Sequence, residues 1–334
     1  MTARIAVILL IVIAMSIPAQ AQEDDTRADG AVRLTTPADP ASHQNPAFSP
    51  DGAQLMFTRF SEGYNDGPSE IVLLDYPSGQ TTVIVTAEDS DNVNMPGTSW
   101  SPIAERIAFS SDRVDTDEVW TATGDGQNET RVTVTQGGYA VEPTYSPDGE
   151  WLAFEVVTTQ DIPEDEQRGA IWIARVDGSS LTQLTGGPEF DDRQPNWSPL
   201  EDRIAFQRRT PGSDNWDIYS ISMDGQRLRQ ITTTEASDTD ASWSPDGAWI
   251  VYSSNEGGLE FANLFVISSH GGNPIRATEN PSGYDGAPSW SPDFKWIAFE
   301  SGAEDEPTAI WAIPSPAVPG RAPGALPEIT LAEG

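Results

Sequence analysis

One phrase occurs six times in this chain: an aromatic residue, then Ser-Pro, breaking straight into a short apolar run. It reads Phe48-Ser49-Pro50-Asp51-Gly52, Trp100-Ser101-Pro102, Tyr145-Ser146-Pro147-Asp148-Gly149, Trp197-Ser198-Pro199, Trp243-Ser244-Pro245-Asp246-Gly247 and Trp290-Ser291-Pro292-Asp293. Successive serines are 52, 45, 52, 46 and 47 residues apart. A period of about 40–50 residues made of short strands is the signature of a β-propeller, one four-stranded blade per repeat. Six repeats predict six blades. The fold class is therefore all-β, a six-bladed β-propeller of four-stranded antiparallel blades.

The third repeat serves as a template. Glu142 to Tyr145 forms a short inner strand, and Ser146-Pro147-Asp148-Gly149 a turn in which proline presets φ and glycine tolerates the left-handed conformation. Trp151 to Phe154 begins the second strand, with Leu152 and Phe154 on one face by the period-two rule. Ala170 to Ala174 is the third strand and Ser180 to Thr185 the outer one. Between them Asp177-Gly178 predicts a tight turn whose two central positions both favour positive φ. The other repeats align on this pattern, with Val72, Trp120, Tyr219, Phe265 and Trp311 at the place of Trp172. Recurrence at one blade position marks these side chains as packing between blades. Ala104, Glu201 and Phe294 replace the turn glycine. A left-handed turn would cost each on the order of 1 kcal/mol, so a change of turn type is expected.

Repeat cores fall near 45–87, 97–136, 142–187, 194–234, 240–279 and 287–314. Ahead of them Arg4, an apolar stretch from Ile5 to Ile17 and Ala19-Gln20-Ala21 have the form of a signal peptide over residues 1–21. Residues 22–30 then read as a linker and 31–334 as a single propeller. Two segments compete to close the sixth blade, Ala31 to Thr35 and Glu328 to Leu331. The first resembles the outer strands of other blades, and joining both chain ends stabilises a ring, so the N-terminal strand is expected to close it. There is no cysteine, so neither disulfides nor a lipid-modified cysteine is available. The expectation is a periplasmic or secreted protein with no stable membrane insertion once the signal is cut.

Charge bounds the partners. Lys and Arg total 18 against 52 Asp and Glu, a formal net charge of −34, and Lys295 is the only lysine. Such a surface repels phosphate backbones, which argues against nucleic acid. The acids are spread through all six repeats, as expected of salt adaptation; a cation or basic-ligand site is the competing explanation.

The repeated W-S-P-D-G-x-x-I-A-F, an aromatic third strand, D-G and a final L-T resemble the WD-like repeats of TolB-type β-propellers. The resemblance covers about residues 31 to 334. It implies a periplasmic propeller that docks proteins or peptides at the mouth of its central channel, and related propellers gate prolyl-oligopeptidase-type peptidases. Gln22 to Gly30 leave no room for the α/β domain of roughly a hundred residues that precedes the propeller in TolB, a normal small-domain size. The expected role is that of the propeller alone.

In an antiparallel blade the turns alternate between two faces. The loops leading into inner strands and those joining strands two and three share one, here the loop face. Ser-Pro and Asp-Gly turns share the other, the turn face. Loops on a rigid scaffold carry function. Five residues before each repeat aromatic stand His43, Asp192, Asp238 and Asp285, and one residue earlier Tyr139, Asp191 and Tyr284. These seven form the candidate channel-mouth site for a protein or peptide of the cell envelope. Asp192, Asp238 and Asp285 could instead hold a metal, with calcium the candidate cofactor. Two histidines, no H-E-x-x-H and no G-x-S-x-G argue against hydrolytic catalysis. The leading expectation is a non-enzymatic binding module. The alternative is a calcium- or metal-dependent hydrolase, lactonase- or glycosidase-like, using channel carboxylates.

Overall fold

The computed structural model describes residues 25–86, 93–94, 100–159, 162–163, 166–210, 212–303, 306–327, 329 and 331–333. The signal-peptide reading for 1–21 lies outside them. Among the described residues no helix is long and apolar enough to cross a membrane.

Six four-stranded antiparallel sheets follow one another along the chain, as the repeat predicts. Blade one spans Ser42–Val85, blade two Val93–Arg131, blade three Gly138–Gln183, blade four Asp191–Gln230 and blade five Asp238–Arg276. Blade six takes its three inner strands from Gly283–Pro314 and its outer strand from the other end of the chain. Val32 and Arg33 pair with Ala312 and Trp311, so the N-terminal strand closes the ring. Ala332–Glu333 pairs in parallel with Thr35–Thr36, outside that blade. Both ends are thus fastened together. The described part of the expected linker, 25–30, is also tied down: Thr26 bridges to Val32, and Arg27 reaches Asp285 at 2.7 Å.

The core lies between blades. The second-strand aromatics Phe57, Phe109, Phe154, Phe206, Tyr252 and Phe299 are each at most 1% exposed. Burying one such side chain contributes about 1.5–3 kcal/mol, and the repeat places one in every blade.

The Ser-Pro turns show why serine and aspartate recur. Ser49 Oγ donates to Asp51 Oδ1 at 2.7 Å and accepts from the Gln54 N–H at 3.0 Å, closing the hairpin. The same clamp joins Ser146 to Asp148, Ser244 to Asp246 and Ser291 to Asp293. Of the three turns lacking glycine, two change type: Ala104 and Glu201 stay out of the left-handed region, whereas Phe294 remains in it at φ 66°. Burial against Trp290, with ring centroids 4.7 Å apart, offsets that strain.

The third-to-fourth turns correct one expectation. Of the pair Asp177-Gly178 only the glycine is left-handed, at φ 80°, and its N–H donates to the Arg175 carbonyl three residues back. That is a type I turn followed by a glycine bulge. These turns also pack on the preceding blade: a Cβ at Gly126 would lie 1.7 Å from the Ile84 carbonyl oxygen.

Candidate functional site

The inner strands of blades one, three, four, five and six each carry a β-bulge between the fourth and first residues before the aromatic, and residues 95–99 of blade two lie outside the described residues. The residue three before the aromatic is left-handed each time: Asn45, Glu142, Gln194, Asp240 and Ala287. The kink turns those side chains toward the propeller axis. With Asn94 of blade two they enclose a cavity of about 40 Å3 touched by all six blades, the waist of the channel.

A second-strand side chain of one blade holds the bulge of the next. Glu155 Oε2 accepts the Gln194 N–H at 3.3 Å, Gln207 Oε1 accepts the Asp240 N–H at 3.3 Å, and Glu300 Oε2 accepts the Asn45 N–H at 3.0 Å. Four carboxylates therefore gather around the waist: Glu142 and Asp240 line the cavity, and Glu155 and Glu300 stand behind it at the bulges they hold. Arg193 approaches Glu155 at 3.8 Å but is itself bonded to Asp191 at 2.9 Å. Burial, with little compensating positive charge, pushes the Glu155 and Glu300 carboxyls up to about 7. Glu142 and Asp240 are raised by the same cause, and Glu142 also feels Glu155 and Asp240.

Three tyrosines belong to this loop-face mouth. Tyr64, half-exposed at the tip of the long blade-one loop, donates its hydroxyl to Glu300 at 2.9 Å. Its ring stands edge-on to Tyr284 at 5.8 Å. Tyr139, on blade three, lies in the field of Glu155 and Arg193. Part of the blade-three loop, at 160–161 and 164–165, lies outside the described residues.

The structure therefore separates the seven candidate residues. Tyr139 and Tyr284 lie at the mouth. Asp192, Asp238 and Asp285 do not cluster there; each is fully buried and takes an internal donor. Arg208 clasps Asp192 at 2.5 and 2.8 Å, Ser254 Oγ donates to Asp238 at 2.5 Å, and Arg27 clasps Asp285 at 2.7 and 3.0 Å. Asp191 is also internal, where the cost of burial is outweighed by bonds from Arg193, Gly169 and Arg209 that hold its carboxyl below the usual range. His43 occupies the same register in blade one. It is 1% exposed against Phe57, its ring nitrogens have no partner among the described residues, and burial beside Arg59 draws its pKa down to about 3. The inner strand is not a straight ladder, so counting back from the aromatic crosses the bulge and lands on the blade interface. Among the described residues no three His, Asp or Glu side chains are grouped to hold a metal ion. The missed axial acids had a faint signal in the sequence, the phrase A-F-E at Phe154-Glu155 and Phe299-Glu300.

The other end of the axis differs. Phe48, Trp100, Tyr145, Trp197, Trp243 and Trp290, with the proline two residues after each, line a turn-face cavity of about 270 Å3. The repeat phrase itself builds this apolar funnel.

The TolB beta propeller domain family matches residues 29–215 and 165–306. The chain belongs to that family. An uncharacterized protein of Agrobacterium fabrum is 29% identical over 218 residues, 61% of this chain and 67% of that protein. The Tol-Pal system protein TolB of Francisella tularensis is 25% identical over 61% of this chain but only 44% of its own length. The crystal structure of TolB from Acinetobacter baumannii superposes with a TM-score of 0.57 at 15% identity, covering 88% of this chain and 66% of that one. Enzymes share the fold as well: an oligogalacturonate lyase in complex with manganese gives 0.53 at 17% identity, over 86% of this chain and 93% of that one.

Proposed function

We propose that this propeller is a non-enzymatic binding module of the cell envelope that takes a cationic group of a protein or peptide at its loop-face mouth. One observation carries the reading. Four carboxylates surround the axis with a single, already committed arginine between them, an arrangement that opposes folding and that a cation would relieve. Tyr64, Tyr139 and Tyr284 supply flat, amphipathic walls of the kind that make protein contacts at low entropic cost. The sequence similarity to a Tol-Pal system protein supports an envelope partner and location. The hydrolase alternative gains little support from the site, because Arg208 and Arg27 close Asp192 and Asp285, and Asp238, whose Oδ2 has no partner among the described residues, is buried away from them. The fold itself is common to binders, peptidases and lyases and does not choose between them.

The test is an affinity capture from the source's own envelope, with wild-type protein beside the Glu142→Gln/Asp240→Asn/Glu300→Gln variant. A partner kept by the first and lost by a folded second supports the reading. Equal capture by both moves the site off the axis.

A further inference from the structure

The turn face carries a second surface that the loop-face reading does not use. The residue after each repeat proline stands on its rim, and in order the six are Asp51, Ile103, Asp148, Leu200, Asp246 and Asp293. The four aspartates clamp their turns, and at Asp51 the Ala53 N–H and the Ser49 hydroxyl hold the carboxyl below its usual range. They are fixed and solvent-facing. Ile103 and Leu200 have no such duty, yet they are 69% and 65% exposed. Two aliphatic tips on a tight polar turn, beside an aromatic–proline funnel of about 270 Å3, make a surface suited to contact.

The chain shows what such a rim holds. Its own Pro/Gly/Ala-rich segment beyond Pro314 crosses blades five and six on this face. There Val318 is 5% exposed, and Arg321 lies over the Phe294 ring at 3.6 Å and bonds Asp246 at 2.9 Å. An aliphatic anchor plus an arginine thus occupies one sector. Asp51, Ile103, Asp148 and Leu200, on blades one to four, remain exposed and offer the same chemistry.

We propose that the turn face docks an extended, proline-rich segment of a partner protein that carries an aliphatic anchor and arginine. The acids of the rim take the guanidinium, and Ile103, Leu200 and the funnel take the anchor. Extended proline-rich segments lose little conformational freedom on docking, which suits a shallow aromatic groove.

The probe is a fluorescein-labelled (Pro-Leu-Pro-Arg)3 peptide, read by anisotropy against the full chain. Saturable binding that Ile103→Asp/Leu200→Asp weakens by at least about tenfold is expected, because two aliphatic contacts are lost. The same titration in the Glu142→Gln/Asp240→Asn/Glu300→Gln background separates arginine binding at the loop-face mouth from binding at the turn face, whose dependence on Ile103 and Leu200 should persist there. A (Pro-Ser-Pro-Arg)3 peptide that binds as tightly would reduce the effect to general charge and overturn the proposal, as would indifference to the Ile103/Leu200 change. Both side chains face solvent; should the aspartates disturb the turns on melting, Ile103→Ser/Leu200→Ser repeats the test. Self-association that these variants abolish would assign the face to a second copy of the chain and overturn the proposed partner.

Discussion

The two ends of the channel are built from the same six inner strands and have opposite character. At the turn face each strand delivers an aromatic and a proline, 3–8% exposed at five of the six aromatics, that serve packing first. Toward the loop face, three residues earlier, the same strands kink and deliver Asn45, Glu142, Gln194 and Asp240 to the axis. One end follows every rule of consistency between sequence and fold; the other breaks them by massing like charges in a buried waist. Local conflict of that kind is where function is expected, because it opposes folding and persists only when something else selects for it.

That contrast predicts opposite signs for substitutions at the two ends. The largest effect should come from Trp243→Ala in the turn-face funnel. Trp243 is 6% exposed and its indole N–H donates to the Asn196 carbonyl at 3.1 Å, so truncation opens a cavity and removes that bond. A loss of about 3–5 kcal/mol in urea unfolding is expected. A loss below about 1 kcal/mol would mean the funnel is not a packing element.

Next in size is a gain at the other end. The Glu155 and Glu300 carboxyls sit at about 7 in the folded protein, against 4.5 for the free group. Across that window the folded state holds protons that the unfolded chain has released. Stability should therefore fall as pH rises from about 4.5 to 7 and stay low above it. Glu155→Gln/Glu300→Gln should flatten this slope, leaving the part that Glu142 and Asp240 contribute, and raise stability at pH 8 by a few kcal/mol, on the order of 3. Blade four provides the precedent, because Gln207 already holds the next bulge at this register. Affinity for a cationic partner at the loop face should run the other way and strengthen as the pair ionises. Denaturation midpoints at pH 5 and 8 read the first effect, and titration of the captured partner reads the second. Parallel slopes in the wild type and the variant would remove Glu155 and Glu300 from the account.

The fold was legible because its period is carried by local signals. Ser-Pro-Asp-Gly closes a hairpin whatever lies elsewhere, and I-A-F patterns strand two without reference to distant residues. Ring closure was legible too, since Ala31 to Thr35 looks like the outer strands it imitates. The site was harder to read for two physical reasons. A bulge adds one residue to the inner strand and alters which side chain meets the axis, and Glu142-Pro143 or Gln194-Pro195 gives little warning of it. The partners of Asp192, Asp238 and Asp285 are set by tertiary contact: Arg27 lies 258 positions from Asp285. An aspartate before a strand looks the same in sequence whether it faces a channel or an arginine.

A smaller effect refines the loop-face end. Tyr64 donates to Glu300, and that bond favours the ionised carboxylate. Tyr64→Phe should push the Glu300 titration further upward, by less than about one pH unit, and cost about 1 kcal/mol above neutrality, where the carboxylate loses its donor. Carboxyl NMR shifts of Glu300 would follow it directly. An unchanged midpoint would detach the loop tip from the axial acids.

The smallest expected effect lies back on the turn face. The Arg321–Asp246 pair is 45% and 36% exposed, so water and salt screen it, and Arg321→Ala should change global stability by no more than about 1 kcal/mol. The local consequence is different in kind. Arg321 also covers the ring of Phe294, whose left-handed backbone is held in place by burial. Without the guanidinium, faster amide exchange should appear at Phe294 and along Val318 to Gly324, while the blade strands stay protected. If exchange rose equally across blade six, the segment would belong to the blade's own cooperative unit. Confinement to the segment would instead mark it as a docked strap on a preformed surface, held by an aliphatic anchor and a cation on an acidic, aromatic rim.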